Sequence, residues 1–156
     1  MVALCDLAYD EDMGVIISEF VDPVHVLGEY EGELVSHALW VMRYLQPEGL
    51  PLLRTAYVEA VATHPDFQHR GFASAIMKKV VEEIQDFDIA GLAPFSVDYY
   101  ARLGWELWRG PMYERTWTGL VLSPPDENVM IYRLPKTPEL DLDSAVSVEW
   151  RVGEVW

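Results

Sequence analysis

The chain has 156 residues, 51% of them hydrophobic, enough for a single domain spanning 1–156 to bury a core without disulfides or a metal. Its 26 acidic residues against 11 basic ones give a net charge of −15, which repels nucleic-acid backbones and suits a cationic partner, although the same charge would also serve solubility alone. No apolar run approaches the roughly 20 residues that a bilayer-spanning helix needs, so a membrane protein is not expected.

Residues 1–9 carry Leu4, Leu7 and Ala8 at helical spacing, so the chain begins inside an amphipathic helix. The same segment lacks the features of a secretory signal and holds the only cysteine, Cys5, which together point to the cytoplasm. On such a helix Cys5 reads as a buried, inert thiol. Asp10, Glu11, Asp12 and Gly14 then break the pattern, and an acidic loop with a short helix around 22–27 is expected. Residues 28–63 are rich in β-branched and aromatic side chains with turn signals at Glu31-Gly32 and Pro47-Glu48-Gly49, predicting an antiparallel meander near 26–30, 33–45 and 51–63. Phe72, Ala75, Ile76, Lys79, Val80 and Ile84 fit one face of a helix that opens at Gly71. Residues 88–93 read as a short buried strand, 94–103 as a helix stopped by Gly104, and 105–108 as a further strand. Beyond them, 123–128 is a loop, 129–134 a strand, and 135–156 a less regular acidic segment holding Trp150 and Trp156. There are no internal repeats or linkers.

The chemistry-bearing stretch is Gln68-His69-Arg70-Gly71-Phe72-Ala73, which follows a strand and opens a helix. Glycine there lets the backbone approach a ligand, and the first-turn N–H groups with the helix dipole favour an anion such as a pyrophosphate. The stretch is neither a Walker loop nor a dinucleotide fingerprint, and a simple helix start remains the plain alternative. His25, His37, His64 and His69 show no metal-ligand spacing, and no Gly-x-Ser-x-Gly elbow occurs, so no metal and no serine nucleophile is expected.

In context, Gln68-x-x-Gly71-x-Ala73 after Tyr57-Val58-Glu59-Ala60-Val61-Ala62 resembles the acetyl-CoA motif of the GNAT N-acetyltransferase superfamily. Phe95-Ser96-Val97-Asp98-Tyr99-Tyr100-Ala101-Arg102-Leu103-Gly104-Trp105 is similar to that superfamily's second signature, a tyrosine-bearing helix followed by Gly-Trp. The terminal Glu149-Trp150-Arg151-Val152-Gly153-Glu154-Val155-Trp156, with Pro125-Asp126-Glu127, resembles segments of the aminoglycoside 2'-N-acetyltransferases. The resemblance implies an α/β fold with a mixed, mostly antiparallel central sheet flanked by helices, acetyl-CoA as cosubstrate, an aminoglycoside acceptor and a homodimer.

It also implies roles. Alternation along 57–62 would put Tyr57, Glu59 and Val61 on one face, with Glu59 the base, acting through water, and a substrate contact. The Val61 N–H would bind the acetyl oxygen where such folds splay two strands apart. Tyr100 would give a proton to the departing thiolate, since an ordinary tyrosine pKa near 10 keeps it protonated, while Tyr99 packs. Val61, Ala62, Gln68, His69, Arg70, Gly71, Phe72 and Ala73 would hold the cofactor. Asp12, Asp126, Glu127, Glu154 and Trp156 would hold the substrate, the last through its carboxylate and by stacking on a sugar. Each of these acids reads equally as a solvated surface charge.

The chain departs from the family at three points: the N-terminal strand is missing, Ala93-Pro94 stands where a serine is usual, and Glu154 replaces an aspartate. Two rivals stay open: an acetyltransferase for another amine (polyamine, small metabolite or peptide N-terminus), and a non-catalytic module that senses acetyl-CoA or a cation.

Overall fold

The computed structural model describes residues 1–156, which form two units, Met1–Val41 with Val58–Ile84, and Met42–Tyr57 with Gln85–Trp156. In the first, α1 (Val2–Tyr9) packs on α2 (Met13–Ser18), with Leu4, Cys5, Met13 and Ile17 buried. The Asp6 carboxylate accepts the Met13 N–H at 2.9 Å, which caps α2 from outside. The short helix therefore lies at 13–18, not around 22–27. Asp22 has φ 48, which breaks a helix, and the β-branched Val24 and Val26 extend into β1 (Val24–Tyr30).

β1 pairs antiparallel with β2 (Glu33–Pro47) across a two-residue turn, Glu31-Gly32, both residues at positive φ (52 and 84), the geometry that matches strand twist. The hairpin register runs from Tyr30↔Glu33 to Val24↔Trp40, with a bulge at Gly28/Glu29. β3 (Leu53–Thr63) follows β2 and runs next to it, completing the expected meander. A 3-10 turn (Pro65–Phe67) leads to α3 (Phe72–Glu83), which lies on β1 with Ile76, Met77 and Val80 buried. Lys79 ties the exposed face of α3 to Glu83 at 2.5 Å.

The second unit takes in one end of β2 and of β3 and adds β4 (Ile89–Leu92), α4 (Val97–Arg102), β5 (Glu106–Leu107), β6 (Met112–Thr116), β7 (Gly119–Leu122), β8 (Met130–Arg133) and β9 (Val146–Glu149). Strand order is β5-β8-β4-β3-β2-β9-β6-β7. β8 pairs antiparallel with β4 and β5, β9 with β2, and β7 with β6; β6 and β9 are parallel. The sheet is mixed and mostly antiparallel, as the sequence implies. α4 starts later than expected because the Ser96 hydroxyl caps it, accepting the Tyr99 N–H at 3.3 Å, and Pro94 lies outside. β6, β7 and β9 have no counterpart in the sequence-based reading. No helix is long and apolar enough to cross a membrane.

Candidate functional site

The centre of interest in the first unit is the end of β3. Its side chains are buried on both faces from Thr55 to Val58, then Glu59, Ala60 and Val61 become half-exposed together. Strict alternation does not hold there: Ala60 takes φ 49, a left-handed conformation that costs about 1 kcal/mol or more for a residue with a Cβ, and it re-aims the backbone on either side. The faces expected for Tyr57, Glu59 and Val61 are thus corrected by a local break in the strand.

Side chains support this break. The Ala60 carbonyl accepts from His37 Nδ1 at 2.8 Å, the Val61 carbonyl from the Tyr9 hydroxyl at 2.9 Å, the Ala62 carbonyl from Ser36 Oγ at 3.2 Å, and the Thr63 carbonyl from Gln68 Nε2 at 3.3 Å. Four successive carbonyls thus each accept from a side chain, which helps to hold the irregular backbone around Ala60. His37 Nε2 lies 2.9 Å from His25 Nδ1, and Cys5 Sγ lies 3.4 Å from His37 Nδ1. Burial, countered by the Ala60 bond and reinforced by His25 and the N-terminal ammonium, lowers the His37 pKa to about 4, so the ring is neutral at pH 7. Burial raises the Cys5 thiol, partly offset by that ammonium. Reading the histidines only for metal spacing misses this cluster; a lone histidine in the apolar run Val35-Ser36-His37-Ala38-Leu39-Trp40 was the available signal.

Residues 64–73 follow directly. His64 caps the 3-10 turn by accepting the Asp66 N–H at 3.2 Å, and Gln68 joins the loop back to Thr63. His69 (φ 59) and Gly71 (φ 88) both take left-handed backbone, and Gly71 is the N-cap of α3 with open space where a Cβ would stand. At the start of α3, the Phe72 and Ala73 N–H groups precede the first intrahelical acceptor. The Arg70 guanidinium lies 4.9 to 5.4 Å from the rings of Phe67, Tyr30 and Phe72, and no carboxylate is within 4.0 Å of it. In a chain with more than twice as many acids as bases, an exposed cation held by aromatic faces beside a helix N-terminus fits an anionic ligand. Val61, Ala62, Gln68, His69, Arg70, Gly71, Phe72 and Ala73 thus belong to one continuous strand-loop-helix segment. Asp12 is exposed at the α2 N-cap position and has no bond to that segment.

In the second unit, Tyr100 on α4 is 2% exposed, among the rings of Phe95, Tyr99 and Trp105 at centroid distances of 5.1 to 6.2 Å; Tyr99 is half-buried. Asp126 and Glu154 are exposed, and Glu127 is half-buried. Burial first, then Glu154, Asp126 and Glu114, raise the Glu127 pKa, which places these acids in one electrostatic neighbourhood; the Arg151 guanidinium donates to the Glu154 carbonyl at its edge. Trp156 is different. At 2% exposure its indole has no face open for a sugar, and its Nε1 donates to Ser123 Oγ at 2.7 Å, so the stacking role is corrected to that of an anchor. No group of three or more His, Cys, Asp or Glu side chains could hold a metal ion.

Comparison with known proteins bears on the family and the fold. The acetyltransferase (GNAT) domain family matches residues 16–108. An aminoglycoside 2'-N-acetyltransferase of Mycolicibacterium fortuitum is 31% identical over 139 residues, 85% of this chain and 71% of that protein. Among solved structures, the GNAT family N-acetyltransferase YhbS of Escherichia coli in complex with CoA superposes with a TM-score of 0.65 at 13% identity, covering 96% of this chain and 82% of that one. Eis1 of Mycobacterium abscessus gives 0.57 at 17% identity over 66% of this chain, which spans 27% of its length. At these identities the structures speak for the fold alone.

Proposed function

Because the chain belongs to the GNAT acetyltransferases, we propose that it transfers an acetyl group from acetyl-CoA to the 2'-amine of an aminoglycoside. The observation that carries the substrate class is the Glu127 neighbourhood, where burial and the charges of Glu154, Asp126 and Glu114 all raise the Glu127 pKa. A polyammonium sugar would offset that repulsion and favour the ionised form of Glu127. The 31% identity to the Mycolicibacterium fortuitum enzyme supports the same reading.

Acetyl-CoA supplies the activated acetyl thioester. Gln68, His69, Arg70, Gly71, Phe72 and Ala73 hold its phosphates through loop N–H groups and the Arg70 cation. The Val61 N–H, with Ala62 beside it, receives the acetyl oxygen and the charge that develops on it. Glu59 takes a proton from the substrate ammonium through water, the neutral amine so formed attacks the acetyl carbonyl, and Tyr100 gives a proton to the thiolate that leaves. Asp12, Asp126, Glu127 and Glu154 attract the sugar's ammonium groups.

The test is acetyl-CoA-dependent thiol release against aminoglycosides with and without a free 2'-amine, plus spermidine and a peptide N-terminus. Turnover confined to the 2'-amino compounds establishes the reading. Turnover with spermidine or the peptide alone keeps acetyl transfer and rejects the antibiotic, and acetyl-CoA binding without turnover of any amine marks a sensing module.

A further inference from the structure

We infer that His37 is a positioning residue for acetyl transfer: by donating to the Ala60 carbonyl it holds the break in β3 that sets the direction of the Val61 N–H. The inference rests on the acetyl-transfer reading above. A carbonyl only accepts, so the hydrogen of the 2.8 Å contact must sit on His37 Nδ1. In the neutral ring Nε2 is then bare, and His25 Nδ1, at 2.9 Å, must donate to it. One hydrogen-bond direction thus runs from exposed His25 through His37, which is 0% exposed, to Ala60. Cys5 Sγ, at 3.4 Å from a nitrogen that already donates to Ala60, is left as a weak second acceptor.

Ala60 requires this support because its side chain does nothing to favour φ 49. Tyr9, Ser36 and Gln68 secure the carbonyls that follow, and His37 is the side chain that bonds the residue carrying the positive φ. Without the bond the Ala60 peptide can turn its carbonyl elsewhere, and that rotation swings the Val61 N–H, which shares the same peptide plane. A displacement of about 1 Å at a reacting centre is worth roughly a hundredfold in rate. His37 touches no substrate in this scheme and acts wholly through the backbone.

The experiment compares His37→Leu, which keeps volume and removes the donor, with His37→Asn, whose side-chain amide can reproduce the Nδ1 donation. For each, kcat, KM for acetyl-CoA, thermal midpoint and the backbone amide resonances of 60–62 are measured. His37→Leu is expected to lower kcat about thirtyfold to a hundredfold with KM for acetyl-CoA within about threefold. It should also move the Ala60 and Val61 resonances more than any others outside the mutated position, and His37→Asn should recover at least about a third of kcat and return the resonances. Unchanged kcat in His37→Leu, or loss of kcat without movement at 60–62, overturns the inference. Should His37→Leu not fold, Asn carries the test: its resonances at 60–62 must match the wild type. If no amine is a substrate for the wild type, the reading of function fails, while the resonances still report whether His37 holds Ala60.

Discussion

The indole N–H of Trp156 donates to the Ser123 hydroxyl at 2.7 Å, joining residue 156 to the loop that carries Asp126 and Glu127. Both partners are buried, at 2% and 7% exposure, so the bond has no ready replacement in water. Trp156→Phe keeps most of the apolar volume and loses the donor, and should cost about 1 to 2 kcal/mol in urea unfolding. Trp156→Ala adds a cavity and should cost about 3 to 5 kcal/mol. Equal losses for both would mean that the ring, not the bond, is irrelevant to the anchor.

Arg43 holds the same tail from the other side. Its guanidinium donates to the Val155 carbonyl at 2.8 Å, to the Glu149 carbonyl at 2.6 Å and to the Glu149 carboxylate at 2.7 Å, and it lies 5.4 Å from the Tyr57 ring centroid. Arg43 is 3% exposed, while the Glu149 side chain is 37% exposed and Arg115 also approaches it. Arg43→Met removes the donor from the buried Val155 carbonyl and the part-buried Glu149 carbonyl and should cost about 3 kcal/mol, the lower end for a buried pair because water still reaches Glu149. Arg43→Lys, which lacks the fork, should recover less than half of that in the same unfolding measurement.

His37 predicts a pH dependence of stability. Its pKa falls from 6.5 in the unfolded chain to about 4 in the folded one, so between those values only the unfolded chain binds the proton. The stabilisation is complete above pH 6.5 and is lost as pH falls toward 4, on the order of 3 kcal/mol in all. The charged or titrating groups facing the ring are His25, Cys5 and the Met1 ammonium. The difference in unfolding free energy between wild type and His37→Asn should therefore shrink steadily from pH 7 to pH 4. A difference that stays constant would show that His37 does not resist protonation.

How much of this the sequence discloses depends on range. The β1–β2 hairpin was legible because its signals are local, alternating residues around Glu31-Gly32, and α3 because its apolar face recurs within 12 residues. β9 was not, since Val146 to Glu149 gain their strand character by pairing with Met112 to Arg115, more than 30 residues away, inside a segment whose acidic composition reads as irregular. At the site, Gly71 advertises its φ through residue type. Ala60 does not: nothing in an alanine announces φ 49, and the groups that hold its neighbourhood come from residues 9, 36, 37 and 68. Trp156 misled for a similar reason, because an aromatic beside acids suggests a sugar platform until its partner Ser123 is in view.

Gly71 offers a test of the loop. A Cβ there would meet nothing within 4 Å, so Gly71→Ala costs only the backbone strain of φ 88, about 1 kcal/mol, in unfolding measurements. In the proposed function, however, the methyl would stand where a phosphate is to approach the α3 first turn. KM for acetyl-CoA should rise about tenfold or more, with little change in KM for the amine. A variant that loses stability without losing acetyl-CoA affinity would move the phosphates away from this helix start.

Tyr99 and Tyr100 decide the acid. Their rings meet edge to face at 5.1 Å, and Tyr100 also packs on Phe95 and Trp105, so the more buried of the two could serve packing alone. Tyr→Phe substitution separates the roles, since it keeps every ring contact and removes one hydroxyl. Tyr100→Phe should lower kcat about a hundredfold with KM for acetyl-CoA within about threefold, because a proton donor acts in the transition state and not on binding. Tyr99→Phe should stay within about twofold, the change expected when no group used in the transition state is removed. The reverse pattern would assign the proton to the half-buried Tyr99 and leave Tyr100 as the packing residue, and no effect from either would place the acid outside α4.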